Sequence, residues 1–146
     1  MTPRAIRGAA VLTAAALLAG GACGARPVSP ADCQATKPVQ QGSLLELQAD
    51  PAESSIRGVL PGADPAKAGQ PYAVRWLVDA RKAGGELKFQ AAREGSSQVY
   101  RETFAAAPAT GQVAQFPTEL VFPASGCWDA DVFTGTAAGS LTFRVA

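Results

Sequence analysis

Y-A-V-R-W-L-V-D, residues 72 to 79, carries the clearest indication of secondary structure in this chain. The apolar side chains Tyr72, Val74, Trp76 and Val78 alternate with the other residues of the run. Successive side chains of a β-strand point to opposite faces, and aromatic and β-branched residues favour strands. The run therefore predicts a strand that turns an aromatic-rich face toward a core.

Short runs of the same alternating kind continue on both sides of this strand. We predict further strands at residues 43–47, 54–60, 87–91, 98–104, 112–116, 118–122, 127–134 and 140–145. The Pro- and Gly-rich segment 61–65 cannot continue a strand or a helix and is predicted as a loop. The Ala-rich stretches 105–109 and 137–138 are also predicted as loops, because Pro108 and Gly139 lie in or beside them.

With one or both of the weak runs 43–47 and 112–116 left out, these runs amount to seven or eight short strands in about 105 residues, with no convincing amphipathic helix. Regular spacing of short strands and turns is typical of an antiparallel sandwich. The chain has 146 residues, which is enough for one domain and too few for two ordinary ones. We therefore predict a single β-sandwich domain over residues 39–146.

The N-terminus has the parts of an export signal. Arg4 and Arg7 form a short basic region, and an apolar run follows from Gly8 to Leu18. That run is shorter than the ~20 residues that a spanning helix needs, and its length is typical of a signal peptide. We predict a signal peptide over residues 1–22 and a location outside the cytoplasm.

The end of this leader, L-L-A-G-G-A-C-G at residues 17–24, resembles the lipobox of bacterial lipoproteins. In that family a cysteine after small residues is diacylated and becomes the first residue of the mature protein. The resemblance implies a lipid on Cys23 that attaches the protein to the cell membrane, or to the outer membrane if the source has one. The family pattern has a leucine-like residue where this chain has Gly20. The alternative is ordinary secretion after cleavage near Ala22, with Cys23 as a free thiol.

The stretch between this cysteine and the domain is rich in proline and alanine from Gly24 to Pro38. Such a composition favours a semi-extended spacer over a packed element. Residues 23–38 are therefore predicted to be a lipid-anchored flexible tether.

The chain has three cysteines, an odd number that leaves one thiol over in an exported protein. Lipidation of Cys23 resolves the parity, because Cys33 and Cys127 then remain as a pair in an oxidising compartment. We predict a disulfide between them, which would tie the start of the domain to its penultimate strand. The competing hypothesis is a reactive or metal-binding thiol pair, but the chain has no histidine and no C-x-x-C spacing.

Composition argues against several classes of function. The formal net charge is +1, and Arg4 and Arg7 leave with the leader, so the mature chain is close to neutral. A near-neutral balance gives no electrostatic basis for nucleic-acid binding. The absence of histidine removes the commonest general base and the commonest transition-metal ligand. We expect no cofactor, no metal and no catalytic site.

The C-terminal third carries a second resemblance, in F-P-A-S-G-C-W at residues 122–128, followed by an alternating strand and by residues 139–145. It resembles the F-P-x-x-G-C-W ending of a group of uncharacterised bacterial surface lipoproteins with an immunoglobulin-like fold. In that group a strand like Ala73 to Leu77 follows a turn like A-G-Q-P at residues 68–71. The resemblance covers roughly residues 56–146 and implies a surface location and an immunoglobulin-like antiparallel β-sandwich of about seven strands, but no activity.

Two tryptophans lie within the predicted strands. We expect Trp76 and Trp128 to pack in the core, with Trp128 beside the Cys33–Cys127 bridge, as an aromatic residue packs on the disulfide of immunoglobulin domains. The alternative is a pair of aromatic rings that stack on a ligand.

The strand at residues 127–134 carries the remaining candidate site. Asp129, Asp131 and Phe133 are two apart and therefore share its outward face. Paired carboxylates can bind calcium or act in acid–base catalysis, but two of them make a poor cage. We expect a solvated face or, because an aromatic residue lies beside two acids, part of a surface for a protein partner. A bulge that resets the register of the strand is the alternative for Phe133.

Two functions from different classes follow. The first is a lipid-anchored cell-surface module that acts by binding a protein partner or by a structural role. The second is a secreted inhibitor-like domain that binds its partner through loops at one end of the sandwich.

Overall fold

The fold was analysed in a computed structural model that describes residues 29–108 and 111–146. The predicted signal peptide over residues 1–22 and the predicted lipid on Cys23 lie outside the described residues.

Within the described residues the chain forms nine strands in two antiparallel sheets, and short 3₁₀ turns at Pro30–Asp32 and Ala52–Ser54. The strands are β1 Val39–Gln41, β2 Leu44–Gln48, β3 Ile56–Leu60, β4 Tyr72–Asp79, β5 Glu86–Arg93, β6 Val99–Ala105, β7 Val113–Leu120, β8 Gly126–Thr134 and β9 Ala137–Val145. One sheet has the order β1-β2-β3-β4-β7 and the other has the order β6-β5-β8-β9. The predicted all-β sandwich is confirmed.

The order of β3 to β9 is that of an immunoglobulin-like fold, with seven strands in two sheets, β3-β4-β7 and β9-β8-β5-β6. The count rises to nine because the hairpin of β1 and β2 extends the first sheet beside β3. This hairpin turns at Gly42, whose φ of 61° is in the left-handed region that glycine adopts most easily.

Two predicted element boundaries are wrong. The runs 112–116 and 118–122 are not two strands: their central residues form the single strand β7, which contains Pro117 and ends at Leu120, before Val121 and Phe122. Proline is tolerated there because β7 is an edge strand that pairs only with β4. Ala137 and Ala138 form the start of β9 and not a loop, since they pair with Thr134 and Phe133 across a tight turn.

The core lies between the sheets and is dominated by aromatic rings. Trp76, Trp128, Phe89 and Phe122 are fully buried, which confirms that both tryptophans are core residues. The Phe122 ring packs against the rings of Phe89, Trp128, Tyr100 and Phe143 at centroid distances of 5.4 to 6.2 Å. Aromatic pairs at such distances contribute about 0.5 to 1.5 kcal/mol each beyond the burial of their area.

Both indole N–H groups are satisfied inside this core. Trp76 Nε1 donates to Thr118 Oγ1 at 3.2 Å, and Thr118 Oγ1 donates in turn to the Val74 carbonyl at 2.8 Å. Trp128 Nε1 donates to the Ala124 carbonyl at 2.9 Å. Buried polar groups of this kind are costly when they lack a partner, so these bonds fix the orientation of both rings.

The disulfide joins Cys33 to Cys127 across 94 residues of sequence, with a Cα–Cα distance of 5.3 Å. Trp128 does not lie beside it as expected. The alternation of β8 puts Cys127 on the outer face with Asp129, whereas Trp128 lies on the core face. The bridge therefore fastens the N-terminal segment to the outside of the second sheet and does not join the two sheets through the core.

The tether predicted over residues 23–38 ends before residue 38. Thr36 N donates to the Thr142 carbonyl at 2.8 Å, and Thr142 N donates to Thr36 Oγ1 at 2.9 Å. Arg144 Nη2 donates to the Cys33 carbonyl at 3.1 Å. The segment from Cys33 to Thr36 is thus part of the folded unit, because it satisfies backbone groups on the open edge of β9.

Candidate functional site

The three residues of the predicted partner surface lie together on the outer face of the four-stranded sheet. Asp129 and Phe133 are exposed and Asp131 is half-buried, while Ala130 and Val132 between them are buried in the core. The strict alternation of β8 is kept over these residues, so Phe133 faces outward without a bulge that resets the register.

Neighbouring strands complete this face in rows across the sheet. Phe133 lies opposite Lys88 of β5, and Asp131 lies opposite Gln90. Lys88 and Gln90 in turn lie opposite Thr103 and Arg101 of β6. Apart from the disulfide-bonded Cys127, the outward side chains of the four strands are exposed except for the half-buried Asp131 and Thr142, and we call the following set the outer face: Glu86, Lys88, Gln90, Ala92, Val99, Arg101, Thr103, Asp129, Asp131, Phe133, Ser140, Thr142 and Arg144.

Hydrogen bonds hold the polar side chains of the outer face in place. Ser140 Oγ donates to Asp131 Oδ1 at 2.7 Å. Thr142 Oγ1 donates to Asp129 Oδ1 at 2.8 Å in the next row. Arg101 Nε donates to Gln90 Oε1 at 2.8 Å. Each carboxylate thus binds a hydroxyl on β9 and keeps its second oxygen available to a partner.

Charge is divided across the outer face. On β5 and β6, Lys88 and Arg101 outnumber the single outward acid Glu86, so that half is net positive. On β8 and β9, Asp129 and Asp131 outnumber the single outward base Arg144, so that half is net negative. An open depression of about 520 Å³ lies on the positive half, bordered by Lys88, Arg101 and Glu102 and reaching Phe133.

Two large apolar side chains are exposed beside these charges. Phe133 and Val99 are each 44% exposed. Single exposed apolar residues are common on soluble proteins. The outer face is distinguished by an exposed aromatic ring that lies between a positive half and a negative half, in a position suited to anchor a protein contact.

A second cavity was missed from the sequence. It is a cleft of about 460 Å³ between the N-terminal segment and the sheets, and its lining includes Thr36, Leu47, Asp64, Tyr72 and Phe143. Burial, together with the charge of Asp64, raises the pKa of the Tyr72 hydroxyl, so this phenol is a neutral donor at ordinary pH. The lining comes from segments far apart in sequence, so no local pattern could indicate it.

Two serines immediately before β3, Ser54 and Ser55, have structural partners. Ser54 Oγ accepts from Ile56 N at 3.2 Å. Lys82 Nζ donates both to Ser55 Oγ at 3.2 Å and to the Glu53 carbonyl at 3.0 Å, a serine–lysine contact that the sequence did not indicate. Because the same ammonium group binds the Ser55 hydroxyl and a backbone carbonyl, the contact joins the loop after β4 to the turn before β3.

In the part of the chain that the structure describes, no group of three or more potential ligands from histidine, cysteine, aspartate and glutamate comes together to hold a metal ion. No helix among residues 29–108 and 111–146 combines the length and apolar character needed to cross a membrane. No protein-family model, curated protein or solved structure matches this chain.

Proposed function

We propose that this chain is an exported, lipid-anchored cell-surface module that binds a protein partner through the outer face and carries out no chemistry. The observation that carries the proposal is the Cys33–Cys127 disulfide. Disulfides persist in oxidising compartments outside the cytoplasm. The bridge also uses two of the three cysteines and leaves Cys23, the cysteine of the lipobox-like run, for the lipid.

The position of Cys33 supports an anchored orientation. Cys33 lies near the start of β8 and the end of β9, at the end of the sandwich that also holds the chain terminus, Ala146; we call this the Cys33 end. Cys23 and Cys33 are ten positions apart in the chain, and an extended chain over ten positions spans at most about 35 Å. A lipid on Cys23 would thus hold the Cys33 end toward the membrane and leave the outer face accessible from the side.

The surroundings of the acidic pair support binding over catalysis. Asp129 and Asp131 lie on an open sheet surface, and each accepts a hydrogen bond from a neighbouring hydroxyl. Catalytic carboxylates act within clefts that exclude water and shift their pKa values. The outer face offers an aromatic anchor and two charged halves, which are features of protein contact surfaces.

Two of the loops at the end opposite Cys33 are bound to each other, which argues against the inhibitor-like alternative for these two. Thr136 N donates to the Lys82 carbonyl at 2.8 Å, and Gly84 N donates to Thr134 Oγ1 at 2.9 Å. The loop after β4 and the turn before β9 are therefore bound to each other. Neither of the two protrudes as a segment that could enter a cleft.

The anchor is tested by Cys23→Ala in cells that produce the full chain. We expect the variant to move from the membrane fraction to the medium, and a labelled fatty acid to mark only chains that keep Cys23. Cys33→Ala is the matched control: it also removes one cysteine, but it should leave the label and the membrane attachment in place. Wild-type protein that is unlabelled and free in the medium would overturn the proposed anchor.

A further inference from the structure

We propose that the outer face binds a second copy of this chain, with the two copies side by side on one membrane and related by a two-fold axis parallel to the strands. The proposal names the partner of the surface described above, and its membrane arrangement rests on the proposed anchor. It follows from the distribution of charge on the outer face and from the position of the Cys33 end.

A two-fold axis that lies in the interface parallel to the strands, between β5 and β8, exchanges the two halves of the outer face. Each positive half, with Lys88 and Arg101, then lies on the negative half of the other copy, with Asp129 and Asp131. An axis in the interface perpendicular to the strands would instead put like halves together. Opposite charges favour an interface and like charges oppose it, so the charge pattern selects the parallel axis.

The same rotation gives Phe133 a place to bind. β8 of one copy lies on β5 of the other, which puts Phe133 opposite Lys88 of the second copy. Lys88 borders the depression of about 520 Å³, so each Phe133 ring would enter the depression of the other copy. The lysine ammonium close to the ring adds a cation–π contact to the burial of the exposed aromatic surface. The contact occurs twice, as a closed two-fold interface requires.

The selected axis also suits attachment to one membrane. Because the axis runs parallel to the strands, both copies keep their Cys33 ends at the same end of the dimer. The connections from Cys33 to Cys23 then leave the dimer in the same direction. A perpendicular axis would direct the two connections to opposite ends.

The size of the outer face fits a contact that forms on a membrane. Four strands about 4.8 Å apart and roughly seven residues long cover an area of only about 450 Å² per copy. Stable interfaces bury about 800 Å² per partner, so the dimer is expected to be weak in dilute solution. Anchoring in one surface raises the effective concentration of each copy for the other and makes a small interface sufficient.

The test uses the full chain in cells, with Phe133→p-benzoylphenylalanine as a photo-crosslinking residue. Phe133 is exposed, so this change leaves the core intact. We expect an adduct of twice the chain mass, with the crosslink on residues 86–103 of the second copy. The control places the same residue at Val39, which is also exposed but lies on β1 of the other sheet, and it should give no such adduct. An adduct with a different protein, a crosslink within β8 or β9 of the second copy, or no adduct would overturn the proposal.

Charge exchange gives a second, independent measurement. Arg101→Glu and Asp131→Arg should each lower the adduct yield about tenfold, because each creates a like-charge contact. The double variant should restore the yield, since positions 101 and 131 then again carry opposite charges across the interface. The control pair, Arg75→Glu with Glu119→Arg, changes exposed charges on the other sheet and should leave the yield unchanged. The interface would be contradicted if the single variants gave the same adduct yield as the control pair, or if the double variant did not recover the wild-type yield.

The proposed anchor and the proposed dimer are contradicted by different results. In the Cys23→Ala background, loss of the adduct from protein in the medium is expected if the membrane supplies the effective concentration. If wild-type protein proves to be free in the medium but still gives the adduct on residues 86–103, the anchor is wrong and the interface stands. If the protein is anchored and gives no adduct, the anchor stands and the interface is wrong.

Discussion

Cys127 and Trp128 are neighbours in the chain, yet their side chains lie on opposite faces of β8, the first on the disulfide and the second in the core. The bridge and the core are therefore separate sources of stability. The core packs without the sulfur atoms, and the bridge acts by shortening the free chain in the unfolded state.

Loss of the bridge should destabilise the domain without changing its folded core. We expect Cys33→Ser to lower the free energy of unfolding by about 2 to 5 kcal/mol, because the bridge closes a long loop. Cys33→Ser combined with Cys127→Ser should cost about the same as either single change, since all three break one bond. Urea unfolding followed by tryptophan fluorescence measures these costs, and the native spectrum should stay unchanged because both tryptophans lie on the core side. Two titratable thiols in denatured, unreduced wild type would contradict the bridge itself.

Thr118 should contribute more to the free energy of unfolding than its size suggests. Thr118→Val keeps the shape but removes the acceptor of the Trp76 N–H and the donor to the Val74 carbonyl, both of them buried. We expect a loss of about 1 to 3 kcal/mol in the free energy of unfolding. Thr103→Val is the matched control, since Thr103 is exposed on β6, and it should change stability by less than about 0.5 kcal/mol. Equal costs at the two positions would show that the Trp76 bond contributes nothing.

Gly135 should tolerate no side chain. Its φ is 53°, and a Cβ there would lie 2.3 Å from the Lys82 carbonyl oxygen. Gly42 has a similar φ of 61° but nothing within 4 Å of its Cβ position. Gly42→Ala should therefore lower the free energy of unfolding only by the cost of a left-handed backbone for alanine, about 1 to 2 kcal/mol. Gly135→Ala should lower it by roughly 1 to 3 kcal/mol more, because of the clash. Thermal unfolding of the two variants measures the difference, and equal melting temperatures would exclude the predicted clash.

Tyr100 should make stability depend on pH in the alkaline range. Burial, together with the hydrogen bond that it donates to the Glu102 carboxylate, raises the pKa of its hydroxyl to about 12. The folded state holds this proton more tightly than the unfolded state, whose tyrosine pKa is about 10. The contribution of Tyr100 to stability is thus complete below about pH 10 and is lost as pH rises toward 12.

The measurement is urea unfolding at about pH 9 and about pH 11 for wild type and Tyr100→Phe. The variant should lose less stability than wild type between the two pH values. Tyr72, whose pKa is also raised, is present in both proteins and cancels in the comparison. An identical loss in both proteins would mean that Tyr100 titrates alike in the folded and unfolded states.

The alternating pattern is sufficient to predict the sandwich and the shared outward face of Asp129, Asp131 and Phe133, because burial in a half-exposed strand follows a period of two. Phe133 was assigned outward from that period alone, and it is exposed. The same reasoning failed at Pro117, which divided one strand into two. Whether a proline interrupts a strand depends on whether the strand lies at a sheet edge, and that property belongs to the topology and not to the local sequence.

The prediction of a flexible tether up to residue 38 is wrong for a related reason. Its proline and alanine content is that of a spacer, and nothing local indicates that Thr36 pairs with Thr142, more than 100 residues away. The division of charge across the outer face could not be predicted either, because it depends on β5 and β6 lying beside β8. Pairing across the sheet creates that surface, and the pairing order was not deducible from single strands.

The fastening of Cys33 to the outside of β8 also determines how the domain responds to mechanical force. A pull applied on the N-terminal side of Cys33 passes through the disulfide directly into β8, an inner strand that pairs with β5 on one side and β9 on the other. Residues 34 to 126 form a covalently closed loop that carries none of this load. The short strand β1, which would be the first to peel away in a chain held only by its N-terminus, is thereby shielded from tension.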